Sequence, residues 1–166
     1  MEARTLHAPL DALSAANRPQ GIEIATLTTF DIPALAALSL EAYGDDVTPE
    51  ALLETSEELR LTFEGAFGAT TEDSFIGAWD GGTLVGAILV VRESPWDDAP
   101  DCPFVVDLIV APDYRRRGIA TALISEVATR CSRWGFDSLK LDFINAAAVP
   151  GYRHRQIDRE EAYRTG

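Results

Sequence analysis

The sequence predicts a single α/β (α+β) domain, and three observations lead to this fold class. The chain has 166 residues, which suffice for one ordinary domain with a substantial core but not comfortably for two. Its apolar residues switch from a two-residue period to a helical period and back. One segment, residues 104–110, is almost wholly apolar, as strands buried on both faces are. The order of elements read from these patterns is β-α-α-β-β-β-α-β-α.

The first predicted elements are a strand and two helices. Residues 22–28 alternate apolar and polar side chains, as a half-buried strand does. Residues 33–44 then follow a helical period, and Gly44 is placed to end that helix. A second helix is predicted to begin at Pro49, because Thr48 is a favourable N-cap and proline fits the first helical position.

The second half of the chain is predicted to contain a hairpin, a buried strand, a helix and another strand. The hairpin is indicated by two apolar runs that flank the turn sequence at residues 80–82. Gly86 in the second run predicts a bulge or a close backbone approach. The buried strand is residues 104–110, an apolar helical stripe follows over 120–134, and residues 138–143 alternate again.

The two ends of the chain are less regular. Residues 1–20 are expected to form a leader, compatible with a mobile segment or with a short helix over 9–16, and the domain itself to cover 21–166. Near the C-terminus, residues 146–148 favour a last helix, whereas Pro150-Gly151 oppose its continuation.

Charge is distributed unevenly along the chain. The net charge is −13, which argues against a nucleic-acid-binding protein, since such proteins need a basic footprint. Residues 1–114 carry 4 basic and 21 acidic side chains, whereas residues 115–166 carry 10 basic and 6 acidic ones. The last third is therefore suited to bind a small polyanion. The acidic front part is compatible either with attraction of a cationic substrate or with solubility alone.

The sequence contains no secretory signal and no apolar run long enough to cross a membrane. Without an export signal, Cys102 and Cys131 are expected to be reduced, partly buried thiols. A cytoplasmic protein without a metal site, a membrane partner or a nucleic-acid partner is therefore the expectation.

Three consecutive arginines directly precede Gly118 and the helix after the buried strand. The first N–H groups of a helix have no partner within the helix, and its dipole is positive at that end, so a phosphate can bind there. Glycine lets the phosphate approach the backbone, and Arg115, Arg116 and Arg117 add positive charge. The alternative interpretation is a solvated cationic loop that happens to precede a helix.

The segment "LIVAPDYRRRGIATALI" resembles the GNAT superfamily of acyl-CoA-dependent N-acyltransferases. Residues 115–120 match its R/Q-x-x-G-x-G/A signature, whose loop holds the CoA pyrophosphate, whereas neither G-x-G-x-x-G nor a P-loop is present. Pro112, Tyr114 and the "WDGGTLVGAILVV" hairpin also match, as does the N-x-x-A-x-x-x-Y spacing of Asn145 and Tyr152. The resemblance covers about residues 22–157.

The resemblance implies a mixed, mostly antiparallel sheet flanked by helices, and acetyl-CoA as co-substrate. Backbone groups of the buried strand would bind the pantetheine arm and polarise the thioester carbonyl. The implied cofactor-binding residues are Leu108, Ile109, Val110, Arg115, Arg116, Arg117, Gly118, Ile119, Ala120, Thr121 and Asn145. For Asn145, a turn-forming role at a strand end is the alternative.

Tyr152 matches the tyrosine that protonates the departing CoA thiolate in this family, although Pro150-Gly151 interrupt the segment before it. Its alternative is an aromatic side chain that covers the core. The general base is not assigned: many relatives have a glutamate where this chain has Val106. Strand alternation points Asp107 to the opposite face, where a buried and paired structural carboxylate is expected. Deprotonation through water to an acid near the end of the first helix is the other route, and the acids placed there are Glu41, Asp45 and Asp46.

The resemblance predicts an N-acetyltransferase that moves an acetyl group from acetyl-CoA to a primary amine of a small molecule or protein. An acyl-CoA-binding module without competent catalysis is the alternative. After Tyr152 the sequence predicts that the family's two last strands are short or missing, which would leave the edge of strand 138–143 open. We expect this edge to be covered by the leader or by a second copy in a homodimer, or the domain to be truncated.

Overall fold

The computed structural model describes residues 5–9, 19–66, 68–92 and 102–142. In chain order its elements are strand β1 (Thr5–Pro9), strand β2 (Glu23–Thr26), helix α1 (Ile32–Ala42), helix α2 (Pro49–Phe63), strand β3 (Phe75–Asp80), strand β4 (Thr83–Val91), strand β5 (Phe104–Val110), helix α3 (Ile119–Arg133) and strand β6 (Ser138–Asp142). The strands form one sheet in the order β1-β6-β5-β4-β3-β2. Only β5 and β6 are parallel neighbours, so the expected mixed, mostly antiparallel sheet is confirmed.

The helices begin where the sequence predicts and cover both faces of the sheet. Thr48 caps α2 by accepting a hydrogen bond from the backbone N–H of Ala51 at 3.1 Å. Helix α1 packs against α2 and against β4 and β5, whereas α3 packs mainly on β4. The two sides are opposite, because Gly86 of β4 faces α3 and Leu89, three residues later, lies on the other face beside Asp107.

The core lies between these layers and is aliphatic. Fully buried side chains come from α1, from the three central strands and from α3, and they include Leu35, Ile76, Ile88, Val105 and Leu123. Burial of one such side chain contributes roughly 1.5–3 kcal/mol. Their sum holds the sheet and helices in fixed relative positions, on which the geometry of the site depends.

The N-terminal segment supplies a strand at the edge of the sheet. β1 pairs antiparallel with β6 from Thr5 opposite Asp142 to Pro9 opposite Ser138. This pairing confirms the expectation that the leader covers this edge. It gives partners to backbone groups that an open strand edge would leave unpaired. The short helix considered for 9–16 falls mostly outside the described residues, as does the final helix, and Pro9 belongs to the strand.

Strand β2 is shorter than the predicted 22–28. It ends at Thr26, because Thr28 caps a short 3₁₀ turn at Thr29–Asp31 and Oδ2 of Asp31 accepts a hydrogen bond from the Thr28 backbone N–H at 2.8 Å. This reciprocal cap turns the chain out of the sheet and into α1.

Cys102 and Cys131 are buried and form no disulfide with each other, as expected. Burial raises the pKa of the Cys131 thiol to about 12. The thiol therefore stays protonated and unreactive at neutral pH, which fits a packing role.

Gly86 permits the contact between β4 and α3. A Cβ atom there would lie 2.8 Å from Cγ2 of Ile119 and 3.3 Å from Cδ1 of Leu123. The predicted bulge is confirmed next to Gly86, since Ala78 pairs with Gly86 and Trp79 with Leu84, and the close contact at Gly86 is made by side chains rather than by backbone.

We expect Gly86→Ala to lower the free energy of unfolding by about 1–3 kcal/mol, because the added methyl overpacks the sheet against α3. Gly82→Ala is the matched control, since a Cβ at Gly82 meets no atom within 4 Å. Urea denaturation of both variants measures the difference. Equal stability of the two variants would contradict the close contact at Gly86.

Candidate active site

The site begins where β5 continues beyond its pairing with β6. Within the described residues the two strands pair only at Phe104 opposite Lys140 and Val105 opposite Leu141. β5 runs on to Val110 and stays paired with β4 over that length. On its β6 side, β5 beyond Val105 runs beside the part of the chain that follows Asp142, which lies outside the described residues.

The register of β4 and β5 shows which backbone groups of β5 point away from β4. The N–H of Ala111 donates to the carbonyl of Val85 at 2.8 Å, and Gly86 lies opposite Val110. This makes Gly86 and Val110 a pair that exchanges no hydrogen bonds with each other, so the N–H and C=O of Val110 and of Leu108 point away from β4. The backbone of Ile109 points toward β4. Of the three strand residues predicted to bind the cofactor, Leu108 and Val110 direct backbone polar groups away from β4, and Ile109 does not.

The N-terminus of α3 is not closed by a side chain. Gly118 is its N-cap, with φ at +84°, in the left-handed region that glycine adopts at little cost. It offers no side-chain acceptor to the N–H groups of Ile119, Ala120 and Thr121, in contrast to Thr48 at the start of α2. The side chains of Ile119 and Ala120 are buried in the core, which fixes the positions of their backbone N–H groups.

The three arginines have different environments. Arg116 is exposed and adopts a φ of +64°, a left-handed conformation that disfavours a non-glycine residue by roughly 1–2 kcal/mol. Arg117 is exposed and stacks over the ring of Tyr114, with its guanidinium carbon 4.8 Å from the ring centre. Arg115 is half-buried and donates from Nε to the carbonyl of Val110 at 3.1 Å and from Nη2 to the carbonyl of Ala42 at 2.7 Å.

Tyr114 links the arginine loop to the β3–β4 hairpin. Its hydroxyl donates to Oδ2 of Asp80 at 2.6 Å, and this hydrogen bond raises the pKa of the Tyr114 phenol. Tyr114, Asp80 and Arg117 line a cavity of about 280 Å³ together with residues 19–22. The hairpin, the segment before β2 and the arginine loop thus meet beside the N-terminus of α3.

Asp107 lies on the α1 side of β5, one residue before Leu108. Its Oδ1 accepts a hydrogen bond from the hydroxyl of Tyr43 at 2.6 Å, and both residues are half-buried. β5 has a bulge here, since Leu89 pairs with Asp107 and Val90 with Val105, which leaves Val106 as the extra residue. The expectation of a paired carboxylate is confirmed, although Asp107 is half-buried.

Sequence reasoning did not select Tyr43. The only local signal was its position at the end of the first helix, directly before Gly44, whereas its partner is 64 residues away. Glu41, Asp45 and Asp46, the other acids considered as bases, are exposed around the same helix end.

Tyr152 and Asn145 lie outside the described residues, and their roles stay predictions. Among the residues that are described, no group of three or more His, Cys, Asp or Glu side chains could hold a metal ion. Over the same ranges, no helix combines the length and apolar character needed to cross a membrane.

Comparison with known proteins supports the resemblance stated from the motif. The model of the acetyltransferase (GNAT) family matches residues 34–155. The mycothiol acetyltransferase of Kocuria rhizophila is 37% identical over 106 residues, which are 61% of this chain and 31% of that protein. The chain therefore spans about a third of the length of this relative.

Solved structures of the same fold are also similar. A GCN5-related N-acetyltransferase from Sphaerobacter thermophilus has a TM-score of 0.59 and 25% identity, over 82% of this chain and 40% of that one. The PaiA N-acetyltransferase from Thermoplasma acidophilum, solved in complex with coenzyme A, has a TM-score of 0.52 and 18% identity, over 87% of this chain and 88% of that one. With a family match that covers most of the chain, this protein belongs to the acetyltransferase (GNAT) family, which transfers acyl groups from acetyl-CoA.

Proposed function

We propose that this protein transfers an acetyl group from acetyl-CoA to a primary amine on a small molecule or protein that carries further positive charge. The observation that carries the proposal is the alignment of two features: backbone groups of Leu108 and Val110 point away from β4, and the N-terminus of α3, which has no side-chain cap, follows directly. Strand groups suit the amides of a pantetheine arm, and a helix N-terminus suits a pyrophosphate.

On the donor side, the first-turn N–H groups of α3 bind the pyrophosphate, and Gly118 lets it approach the backbone. Arg116 and Arg117 are exposed at the rim and add positive charge. On the side of β5 that faces away from β4, a backbone N–H donates to the thioester carbonyl oxygen and stabilises the negative charge that develops there. A binding module without catalysis would share this half of the site, so the acceptor half separates the two functions.

On the acceptor side, the amine enters from the α1 face and its nitrogen attacks the thioester carbon. The carboxylate of Asp107 accepts the amine proton through water, and the hydroxyl of Tyr43 holds that carboxylate in place. The C–N bond forms, the C–S bond breaks, and the departing thiolate takes a proton from Tyr152. This assignment gives Asp107 a chemical role in addition to the structural one expected from the sequence.

The acceptor is proposed to be cationic because the acceptor side is acidic. Between residues 19 and 92 the sequence has 13 acidic and 2 basic side chains, and the acids between α1 and α2 are exposed. Such a field attracts cations over about 10 Å at 0.1 M salt. The mycothiol acetyltransferase relative supports a small-molecule acceptor for this chain.

We expect Gly118→Asp to abolish acetyl-CoA binding and Arg116→Ala only to weaken it, because Gly118 admits the phosphate and Arg116 supplies field. Gly135→Asp is the matched control: Gly135 also has a positive φ, +94°, but lies at the far end of α3. Calorimetric titration with acetyl-CoA measures the affinities. Unchanged affinity in both Gly118→Asp and Arg116→Ala would refute the phosphate site.

Thiol release from acetyl-CoA with a panel of amines tests the reaction itself. We expect 1,4-diaminobutane to react faster than 4-aminobutan-1-ol, which differs by one positive charge, and this preference to shrink as salt rises. Tyr152→Phe should lower the rate by about 10²- to 10⁴-fold if it donates the proton to the thiolate. Acetyl-CoA binding without thiol release for any amine would instead identify a binding module.

We expect Asp107→Asn to lower kcat by about 10²- to 10⁴-fold, because the amine proton loses its acceptor. Tyr43→Phe should have a smaller effect, since the carboxylate remains. Neither change should alter acetyl-CoA affinity by more than about twofold, as both groups lie on the α1 side of β5. An Asp107→Asn variant with undiminished kcat would exclude Asp107 as the proton acceptor.

A further inference from the structure

Arg115 connects the end of β5 to the end of α1. We infer that it is a positioning residue for the acceptor side of the site, held apart from the phosphate-binding role of its two neighbours. Its guanidinium donates to the carbonyls of Val110 and Ala42, residues that lie 5 and 73 positions away in the chain. The inference rests on the proposed function, because it assigns Arg115 to the pair Tyr43–Asp107.

The carbonyl of Ala42 is the last acceptor at the C-terminus of α1. The last four carbonyls of a helix have no partner within the helix. Here the chain itself satisfies three of them: the N–H groups of Tyr43, Gly44 and Asp45 donate to Ser39, Glu41 and Leu40, at 3.1, 3.1 and 2.9 Å. Arg115 completes the set at Ala42, and its positive charge is favourable at the negative end of the helix dipole.

The carbonyl of Val110 is the other anchor, and it lies on the donor side of the site. This carbonyl points away from β4, and Arg115 donates to it from the loop that follows. One planar guanidinium thus holds the strand end that binds the acyl donor and the helix end that borders the acceptor. A guanidinium suits this task, since its N–H groups are fixed in one plane and it stays charged when half-buried.

Tyr43 follows Ala42 directly, so the position of the last turn of α1 determines where its hydroxyl lies. That hydroxyl reaches Asp107 at 2.6 Å, three residues before Val110 on the same strand. Arg115 and Tyr43 are therefore two adjacent ties between α1 and β5. Without the Arg115 tie, the end of α1 can move away from β5 and the alignment of Asp107 with the amine is lost, which is a displacement of the kind that reduces rates by about 10²-fold per ångström.

A double-mutant cycle tests this chain of contacts. Arg115→Gln removes the charge and the two-pronged donor, Arg115→Lys retains the charge with a compact donor, and Tyr43→Phe removes the second tie. Arg133→Gln is the matched control, because Arg133 is an exposed arginine in the last turn of α3. The readouts are kcat and KM for 1,4-diaminobutane, acetyl-CoA affinity, and amide hydrogen exchange at residues 43–45.

We expect Arg115→Gln to lower kcat/KM for the amine by about 10- to 100-fold while acetyl-CoA affinity stays within about twofold. The double variant Arg115→Gln/Tyr43→Phe should lose no more than the more affected single variant, because both changes release the same helix end. Arg115→Lys should recover part of the rate. Amide exchange at residues 43–45 should accelerate in Arg115→Gln and stay unchanged in Arg133→Gln.

Two results would overturn the inference. One is multiplication of the two single effects in the double variant, which would show that Arg115 and Tyr43 act independently. The other is unchanged amide exchange at residues 43–45 in Arg115→Gln together with a loss of acetyl-CoA affinity as large as that of Arg116→Ala, which would make Arg115 a phosphate ligand. The exchange readout decides the matter even if no amine is acetylated, so failure of the proposed function remains distinguishable.

Discussion

The pairing of β5 with β4 along its length is the constraint on which the rest of the structure depends. Apolar side chains anchor this strand in the core, while backbone groups of Leu108 and Val110 point away from β4. Backbone N–H and C=O groups that point away from one neighbour must find another partner. For the carbonyl of Val110 this partner is Arg115. In the proposed function, backbone groups of the same strand bind the acyl donor, so this contact requires no polar side chain.

The core on either side of β5 makes that arrangement rigid. On one face Gly86 allows α3 to approach β4 closely enough for Ile119 and Leu123 to pack against it. This contact fixes the N-terminus of α3 directly behind the end of β5. On the other face α1 ends beside β5, where Tyr43 and Arg115 join the two elements. In the proposed function, one strand thus separates the donor half of the site from the acceptor half.

Charge is arranged along the same division. The three arginines stand at the donor end, and two of them are exposed while the third is bound to backbone carbonyls. The exposed acids lie around α1 and α2, toward the proposed acceptor. A polyanionic donor and a cationic acceptor would therefore be drawn to opposite faces of β5 by long-range field. Arg116 has a left-handed backbone two residues before Gly118, and such strain at a non-glycine residue is concentrated at binding sites.

Features that depend on a few neighbouring residues could be predicted from the sequence. Thr48 and Pro49 predicted the start of α2, and Gly118 predicted the start of α3. The apolar run predicted β5 at its observed bounds. These predictions succeed because caps, turns and periodicity depend on neighbouring residues. The motif around Arg115 to Ala120 also identified the family. These features also locate the loop that is proposed to bind the acyl donor.

Contacts between distant segments were decided by the tertiary structure alone. The leader pairs with β6 because that strand edge has to be covered, yet residues 5–9 have no pattern that names their partner. Asp107 faces Tyr43, and Arg115 binds Ala42, across 64 and 73 residues. Such pairs depend on strand register, on the bulge at Val106 and on the angle at which α1 ends, and each of these follows from packing of the whole domain. The sequence by itself thus determined the fold class and the family, whereas the tertiary structure decided which distant side chains meet at the ends of α1 and β5.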